Sequence, residues 1–404
     1  MKRRDFLTWT AGAVGALVSA RLWAMPTQLT QTPRLLVVML RGGYDGASLL
    51  VPHASDFYYR SRPNIAIAKP DAANPDAALD VGDGYGLHPV VRDTLYALYR
   101  RGQVVAVPFS GSADVSRSHF HAQDVLELGQ DGRGTIDYNS GFLNRLVEVL
   151  ARKGGSTSGI SFTDNLTLSF RGKVGVANIS LKGKVRNVAN DRQSQLLQEM
   201  YRGRELGAYV QSGMETRKEV MQQLEQEMVN ASRGARNAAG FDQAARTIGT
   251  LMRDHPAYSV AFVDAGGWDT HINQGGADGQ LARQLAGLAS GLSVLAQTLD
   301  DVWRQTTVVV LSEFGRTFRE NGDKGTDHGH GNTLWVLGGG LAGGKLVGER
   351  VKVDERMLFQ DRDLPMLNDY RSVLSYVTRR MYGLDARQLD YVFPAASVRD
   401  YHFI

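Results

Sequence analysis

Short apolar runs alternate with amphipathic helical segments along most of this chain, and that alternation constrains the fold more than any other feature. Five runs have the length and the Val and Leu content of buried strands, and they lie at 34–40, 103–109, 259–263, 307–311 and 333–337. Segments with helical periodicity lie at 88–101, 119–128, 143–152, 241–253 and 281–303. The alternation predicts an α/β fold built on a parallel sheet.

Two stretches interrupt this alternation. Residues 54–86 are rich in Asp, Ala, Asn and Pro, which predicts an irregular surface loop. Residues 160–181 alternate apolar and polar side chains, which indicates short strands at the sheet edge or a small excursion, and 193–228 is long, charged and helical. We therefore expect one domain over 26–404, with a cap insertion at about 160–235.

Composition narrows the class of protein. The 404 residues include no cysteine, which excludes disulfides, thiolate metal sites, iron–sulfur clusters and thiol catalysis. The hydrophobic fraction of 43% is that of a globular protein and excludes wholesale disorder. A surplus of 46 basic over 42 acidic residues is too small to indicate nucleic-acid binding.

The N-terminal segment has the layout of an export signal. Lys2, Arg3 and Arg4 precede an apolar stretch, 7–20, that is too short for a membrane span. The paired arginines, followed by DFL, resemble a twin-arginine (Tat) signal. We expect residues 1–25 to be a signal peptide that takes the folded protein to the periplasm or the cell exterior.

Export by this route implies contact with the Tat translocase and a mature chain without an integral membrane segment. Cleavage after Ala24 removes four basic residues and Asp5, which leaves 42 basic and 41 acidic side chains. The mature protein is then nearly neutral, so we expect no nucleic-acid partner.

Acidic residues and histidines cluster at the predicted strand ends, where parallel sheets place their functional loops. They are Asp45, Asp264, Asp269, His271, Glu313, His328 and His330, with Asp327 beside the last two. Each residue alone has a structural explanation, such as a helix cap at Asp269 or an ion pair between Glu313 and Arg316. Together they form a donor set for a divalent metal such as zinc, because carboxylates and imidazoles suit such metals.

The spacing of these residues predicts how a metal is held. Asp269 and His271 lie two residues apart and can aim at one point if the chain bends at 266–267. His328 and His330 are also two apart, so in an extended segment both face one side. One of these histidines, with Asp269 and His271, supplies three protein ligands and leaves a position for water or substrate.

The segment SRSHFHAQD begins a predicted helix and carries candidate reactive groups. The hydroxyl of Ser116 or Ser118 can act as a nucleophile if a metal lowers its pKa. Alternatively, Ser118 caps the helix and Ser116 is a loop residue. A helix start that carries an arginine is also an anion site. The arginines that can hold the anionic oxygens of an ester are Arg117, Arg41 and Arg316.

Six motifs, in this order, resemble a bacterial family of Tat-exported proteins of unknown function that is related to the alkaline phosphatase and sulfatase superfamily. They are RRDFL, LLVVMLRGGYDG, SRSHFHAQD, GGWDTH, LSEFGRTF and DHGHGN, and they span essentially the whole chain. The resemblance implies an alkaline-phosphatase-like α/β fold, with a large, mainly parallel sheet sandwiched by helices, and one or two metals, often zinc. It also implies a Ser, Thr or modified Cys nucleophile that acts on phosphate or sulfate esters.

The resemblance assigns roles to individual residues. The implied metal ligands are the pair Asp269 and His271, the further acid Asp264, and either His328 or His330. The implied nucleophile is Ser116 or Ser118. Three features depart from the superfamily pattern and argue against a second metal. The spacing between Asp269 and His271 is shorter than usual, and two positions carry other residues. Arg41 stands where the first strand usually ends in an Asp ligand, and Glu313 with Phe314 replaces a late Asp–His pair.

These features predict a metal-dependent hydrolase of phosphate or sulfate esters, on a small-molecule or polymer substrate. One alternative is a non-catalytic exported protein that keeps the fold and binds a partner or a surface polymer. A redox protein is a third class, because Tat often carries cofactor proteins, but no cofactor motif supports it. A hydroxyl within reach of the metal favours the hydrolase over the binding protein.

The export hypothesis yields the first prediction. Replacing Arg3 and Arg4 together with Lys keeps the positive charge but removes the twin arginines. We expect the unprocessed chain to accumulate in the cytoplasm, as measured by cell fractionation and immunoblotting. Unchanged export of the Lys variant would contradict the Tat interpretation.

Overall fold

The apolar runs form the centre of a mixed, mostly parallel sheet in the computed structural model, which describes residues 32–155, 157–181 and 232–404. The strands are β1 (Arg34–Leu40), β2 (Leu50–Val51), β3 (Leu79–Gly82), β4 (Tyr85–Leu87), β5 (Val104–Gly111), β6 (Ser158–Phe162), β7 (Ala177–Asn178), β8 (Arg236–Asn237), β9 (Tyr258–Gly266), β10 (Thr306–Ser312), β11 (Asn332–Leu337), β12 (Lys345–Leu346) and β13 (Asn368–Asp369). The helices are α1 (Gly46–Leu49), α2 (Asp56–Ser61), α3 (Leu95–Arg100), α4 (His119–Leu128), α5 (Phe142–Arg152), α6 (Phe241–Asp254), α7 (Gln280–Leu299), α8 (Tyr370–Tyr382) and α9 (Ala386–Val392).

The large sheet has the order β12-β5-β11-β10-β1-β9-β6-β7, with β13 paired to β5 and β8 paired to β9. Every pairing in it is parallel except the two made by β11, which runs antiparallel to both β10 and β5. β1 lies at the centre, with Leu36 opposite Val308 on one side and Ala261 on the other. The prediction of an α/β fold with a large, mainly parallel sheet is confirmed.

Helices cover both faces of this sheet because its central strands are apolar on both faces. In β1, Leu36 and Val38 pack into a core with α6 and α7, while Leu35 and Val37 pack into a second core with α5 and α8. All seven residues of β1 are buried. Successive side chains of a strand point to opposite faces, so a continuous apolar run is what a three-layer architecture requires.

The direction of β11 follows from the connection that leads to it. Residues 313–331 join β10 to β11 without a helix. A parallel strand needs a crossover that returns the chain to the opposite edge, so a chain that re-enters from the same edge must run antiparallel. Consequently, His328 and His330, which precede β11, lie at the same edge as the carboxyl ends of β1, β9 and β10.

Some local predictions need correction. The 54–86 region is not an irregular loop throughout, because it contains α2 and, with β2, the small antiparallel sheet β2-β4-β3. Ser55 caps α2 by accepting the Tyr58 N–H, and Tyr58 is fully buried. The predicted helix 88–101 is divided, because Pro89 begins a separate 3-10 turn, Pro89–Val91, before α3.

Other predictions concern residues beyond the structure's described ranges. The predicted signal peptide, 1–25, lies outside them, as does most of the predicted cap, including the stretch 193–228 that is predicted to be helical. The described flanks of the cap place β6 and β7 at one end of the sheet order. Among the residues described, no helix combines the length and apolar character needed to cross a membrane.

A glycine allows the loops at the functional edge to approach each other. Gly42, just after β1, has a φ of +121°, which side chains rarely permit. A Cβ on Gly42 would lie 2.7 Å from the backbone nitrogen of Asp269. The Gly42 N–H also donates to Glu313 Oε1 at 2.8 Å. Through these two contacts, Gly42 places the loop after β1 directly against the loops after β9 and β10.

The second prediction tests this close approach. Gly42→Ala and Gly134→Ala both place a methyl group at a positive φ, but nothing lies within 4 Å of the Cβ at Gly134. Both variants bear a backbone cost of about 1–2 kcal/mol. Only Gly42→Ala adds a backbone clash, so we expect it to lose roughly 1–3 kcal/mol more of its unfolding free energy, as measured by urea denaturation. Equal losses would show that the contact with Asp269 is not restrictive.

Candidate metal centre

Three imidazoles meet at the carboxyl edge of the sheet. His119 is the first residue of α4, His271 lies in the loop after β9, and His328 lies in the segment before β11. The Nε2 atom of His328 is 2.9 Å from Nε2 of His119 and 3.1 Å from Nε2 of His271. These rings come from three separate chain segments, so the sheet topology alone brings them together.

Asp269 completes the cluster from the same loop as His271. Its Oδ1 lies 2.8 Å from His271 Nε2 and 3.3 Å from His328 Nε2, and its Oδ2 lies 3.4 Å from His119 Nε2. Arg316 donates to Oδ1 at 2.6 Å, whereas the buried Oδ2 has no hydrogen-bond partner. His119, Asp269 and His328 offer ligand atoms within 4.8 Å of one another, which makes them a possible metal-binding triad.

The other ring nitrogen of each imidazole, Nδ1, is hydrogen-bonded to an acceptor outside the cluster. The acceptors are Glu313 Oε1 for His119 at 2.8 Å, Asp327 Oδ1 for His271 at 3.2 Å, and the Arg117 carbonyl oxygen for His328 at 3.0 Å. A carboxylate or a carbonyl can only accept, so each Nδ1 carries a proton and each Nε2 faces the centre, where it offers a lone pair whenever the ring is neutral. Metal-binding histidines are oriented by acceptors of this kind.

The electrostatics of the cluster favour a cation. Burial raises the pKa of Asp269, but its polar contacts with His119, His271 and His328 and the charge of Arg316 outweigh it and hold the pKa well below its usual range. Glu313 is also buried, yet the hydrogen bond from His119 lowers its pKa to about 2. With Asp327 ionised as well, three carboxylates face one arginine, Arg316. Burial lowers the pKa of His119, but hydrogen bonds with Asp269 and Glu313 outweigh it and raise the pKa to about 9. A bound metal would displace the Nε2 protons, and the neutral imidazoles would then leave a local charge of about −2, which a divalent cation balances.

Solvent reaches this centre from one side. The side chains of Asp269 and His119 are almost completely buried, whereas those of His271 and His328 are 16% and 18% exposed. Any substrate must therefore approach past His271 and His328.

A model of one protein family matches residues 32–393, which is most of the chain. The chain belongs to the DUF1501 family. The family is described as proteins of unknown function, which confirms the predicted resemblance at that level. No curated protein matches the chain.

Solved structures give weak likenesses to this DUF1501 chain. One is Ps i-CgsB in complex with k-i-k-neocarrahexaose, with 9% identity, a TM-score of 0.42, and coverage of 89% of this chain and 74% of that one. Another is Ps i-CgsB, with 11% identity, a TM-score of 0.41, and coverage of 90% and 76%.

The structure brings together some of the residues predicted as metal ligands. Asp269, His271 and His328 converge, and Glu313 lies behind His119. His330 does not join them, because its buried ring packs against Phe359 with the ring centroids 4.8 Å apart.

The two remaining acids have arginine partners. Asp45 is buried, and its carboxylate accepts hydrogen bonds from both Nη1 and Nη2 of Arg62. Asp264 accepts Nε of Arg41 at 2.7 Å, and Arg41 also pairs with Glu127 at 2.9 Å. Arg41, like Arg316, is thus buried against carboxylates rather than turned to solvent.

The predicted reactive segment lies beside the centre, but its hydroxyls are engaged differently. Ser116 is exposed and donates to Asp114 Oδ2 at 2.8 Å. Ser118 is exposed at the N-cap position of α4, where its side chain makes no capping hydrogen bond. Arg117, between them, touches the centre through its carbonyl oxygen.

His119 is the cluster member that was not predicted as a ligand. A sequence signal for it exists, since His119, Gln123 and Glu127 recur every four residues and share one helix face. All three side chains are buried. Gln123 donates to Glu313 Oε1 at 2.9 Å and accepts from Arg41 Nη1 at 2.8 Å. A buried polar stripe on an otherwise apolar helix face is the pattern that identifies such residues.

The third prediction separates a structural role for Asp45 from a ligand role. Asp45→Asn leaves the fully buried guanidinium of Arg62 without its charge partner. We expect a loss of about 3–5 kcal/mol in unfolding free energy, with metal content per folded molecule unchanged. In the control Asp83→Asn, which breaks an exposed pair with Arg350, the loss should stay within about 1 kcal/mol. Metal loss at unchanged stability would instead make Asp45 a ligand.

Proposed function

We propose that this chain is a metal-dependent hydrolase of phosphate or sulfate esters, with the metal held by His119, His271, His328 and Asp269. The observation that carries the proposal is the convergence of three Nε2 atoms beside the unpartnered Oδ2 of Asp269. Nε2 atoms that face one another at about 3 Å must share a proton or a metal cation, because two bare lone pairs repel at that distance. The protein holds them in that arrangement through all three Nδ1 atoms.

The donor set indicates the kind of metal. Three imidazole nitrogens and one carboxylate oxygen suit zinc and related transition metals better than magnesium or calcium, which prefer oxygen ligands. A metal held here supplies Lewis acidity toward an ester oxygen and a nucleophilic water near neutral pH.

The surrounding residues have distinct tasks in this proposal. Glu313 and Asp327 hold the Nδ1 protons of His119 and His271, which keeps both Nε2 atoms available. Arg316 neutralises Oδ1 of Asp269 and leaves Oδ2 free. The partly exposed rings of His271 and His328 line the side from which an ester approaches. Because the Ser116 hydroxyl donates a hydrogen bond to Asp114 Oδ2, water rather than Ser116 is the proposed nucleophile.

An alkaline-phosphatase-like fold and Tat-dependent export to the periplasm complete the proposal. The mostly parallel sheet with acids and histidines at its carboxyl edge supports the first, and the RRDFL sequence supports the second.

A non-catalytic protein that holds the same metal is the second candidate. Two observations favour it: the Ser116 hydroxyl is engaged by Asp114, and the buried Arg41 and Arg316 do not face solvent. This candidate shares the metal centre with the hydrolase but predicts no ester cleavage.

The fourth prediction tests metal and activity together. Protein exported natively and purified without chelators or nickel affinity should contain about one metal per chain, as measured by elemental analysis. It should hydrolyse p-nitrophenyl phosphate or p-nitrophenyl sulfate. Alanine variants of His119, His271 and His328 should each lose the metal and the activity but keep the circular dichroism spectrum, because each removes a ligand from a folded scaffold.

Two histidine variants serve as controls. His402, with an 81% exposed side chain, and His330, which packs on Phe359, should both be replaceable by alanine without loss of metal. A wild-type protein with metal but no hydrolysis of either ester would favour the non-catalytic candidate. A wild-type protein without metal would contradict both.

A further inference from the structure

Arg117 has an unusual backbone for its position beside the cluster. Its φ is +54°, in the left-handed region that residues other than glycine rarely occupy. Its carbonyl oxygen accepts the hydrogen bond from Nδ1 of His328 at 3.0 Å. Strain of this kind costs of order 1–3 kcal/mol and persists only where the surroundings enforce it.

A buried ion pair provides that enforcement. Nε and Nη2 of Arg117 donate to the same oxygen of Asp363, at 2.9 and 2.6 Å, and Nη2 also donates to Gln360 Oε1 at 2.6 Å. The Asp363 side chain is completely buried, whereas that of Arg117 is 23% exposed. Three hydrogen bonds therefore fix the guanidinium, and with it the direction of the backbone at Arg117.

Asp363 is itself firmly anchored. Its N–H donates to the Phe359 carbonyl oxygen at 3.0 Å, and the Phe359 N–H donates back to the Asp363 carbonyl oxygen at 2.8 Å. Asp363 also forms a β-bridge with Thr317, the neighbour of Arg316, which binds Asp269. The ion pair thus connects residues 116–118 to the backbone segment 316–317, which also holds Asp269.

We propose that the Asp363–Arg117 ion pair is a positioning device for His328. It keeps Arg117 in the left-handed conformation, so that the Arg117 carbonyl oxygen holds the Nδ1 proton of His328 and Nε2 points at the metal. Arg117 and Asp363 are positioning residues here, because they act on the centre through His328. The inference rests on the proposed metal centre.

Two substitutions of the same residue separate the backbone effect from general damage. Arg117→Ala removes the guanidinium and retains the cost of a left-handed φ, so the segment relaxes and the carbonyl oxygen turns away from His328. Arg117→Gly also removes the guanidinium, but glycine adopts a positive φ without strain. With Co²⁺ as the probe, we expect Arg117→Ala and Asp363→Asn to bind about 10–100-fold more weakly than wild type. Arg117→Gly should lose clearly less of its affinity for Co²⁺ than Arg117→Ala does.

The visible absorption of bound Co²⁺ provides a second readout, since it reports the geometry of the ligands rather than the stability of the fold. We expect altered bands in Arg117→Ala and near-wild-type bands in Arg117→Gly. Arg233→Ala is a matched control, because Arg233 also has a left-handed φ, of +47°, a 25% exposed side chain and an ion pair, with Asp124. It should bind Co²⁺ as wild type does.

A measurement on the metal-free protein distinguishes this inference from the proposed function. Nitrogen-15 NMR of the histidine rings should show the proton of His328 on Nδ1 in wild type and a mixture of tautomers in Arg117→Ala. Wild type that binds no Co²⁺ but shows this tautomer shift would refute the metal centre and retain the positioning. Equal Co²⁺ affinity in wild type and Arg117→Ala, or equal losses in Arg117→Gly, Arg117→Ala and Arg233→Ala, would overturn the inference.

Discussion

The central constraint in this structure is that three imidazole Nε2 atoms face one centre, with those of His119 and His271 about 3 Å from that of His328. Two bare lone pairs repel at that distance, so a proton or a metal cation has to lie between them. Acceptors at each Nδ1 keep the three rings in this orientation, and two of those acceptors are carboxylates. The protein therefore holds the rings in advance in an orientation that suits a bound cation.

Much of the surrounding fold serves to hold these acceptors. The antiparallel β11 returns His328 to the edge where β9 delivers Asp269 and His271. Gly42 lets the loop after β1 pass close enough to donate to Glu313. The stripe on α4 then links Glu313, through Gln123, to the buried Arg41. Each contact acts on a group that touches the cluster rather than on the cluster itself.

The sequence was informative where the signal is local. Continuous apolar runs predicted the five central strands closely, because a strand that is buried on both faces is apolar along its whole length and is easily recognised. Asp269, His271 and His328 were predicted as ligands because they follow or precede such strands. The antiparallel direction of β11 was not predicted, since it depends on whether the 313–331 connection contains a helix.

Long-range pairing limited the rest of the prediction. Asp45 and Asp264 are acids at strand ends and look like ligands in the sequence. Their partners, Arg62 and Arg41, can be assigned only once the fold brings them together. His119 was not predicted as a ligand, because the two serines near it suggested a nucleophile instead. Its four-residue spacing from Gln123 nevertheless indicates a buried polar stripe. Spacing along a helix was the more reliable signal, because it reflects packing directly.

Anomalous X-ray diffraction tests the central claim most directly. Crystals of wild-type protein grown with Zn²⁺ should be measured on both sides of the zinc absorption edge. We predict one anomalous peak at about 2.0–2.2 Å from Nε2 of His119, His271 and His328 and from a carboxylate oxygen of Asp269. The absence of a peak at this position, with the three rings in the same arrangement, would contradict the account.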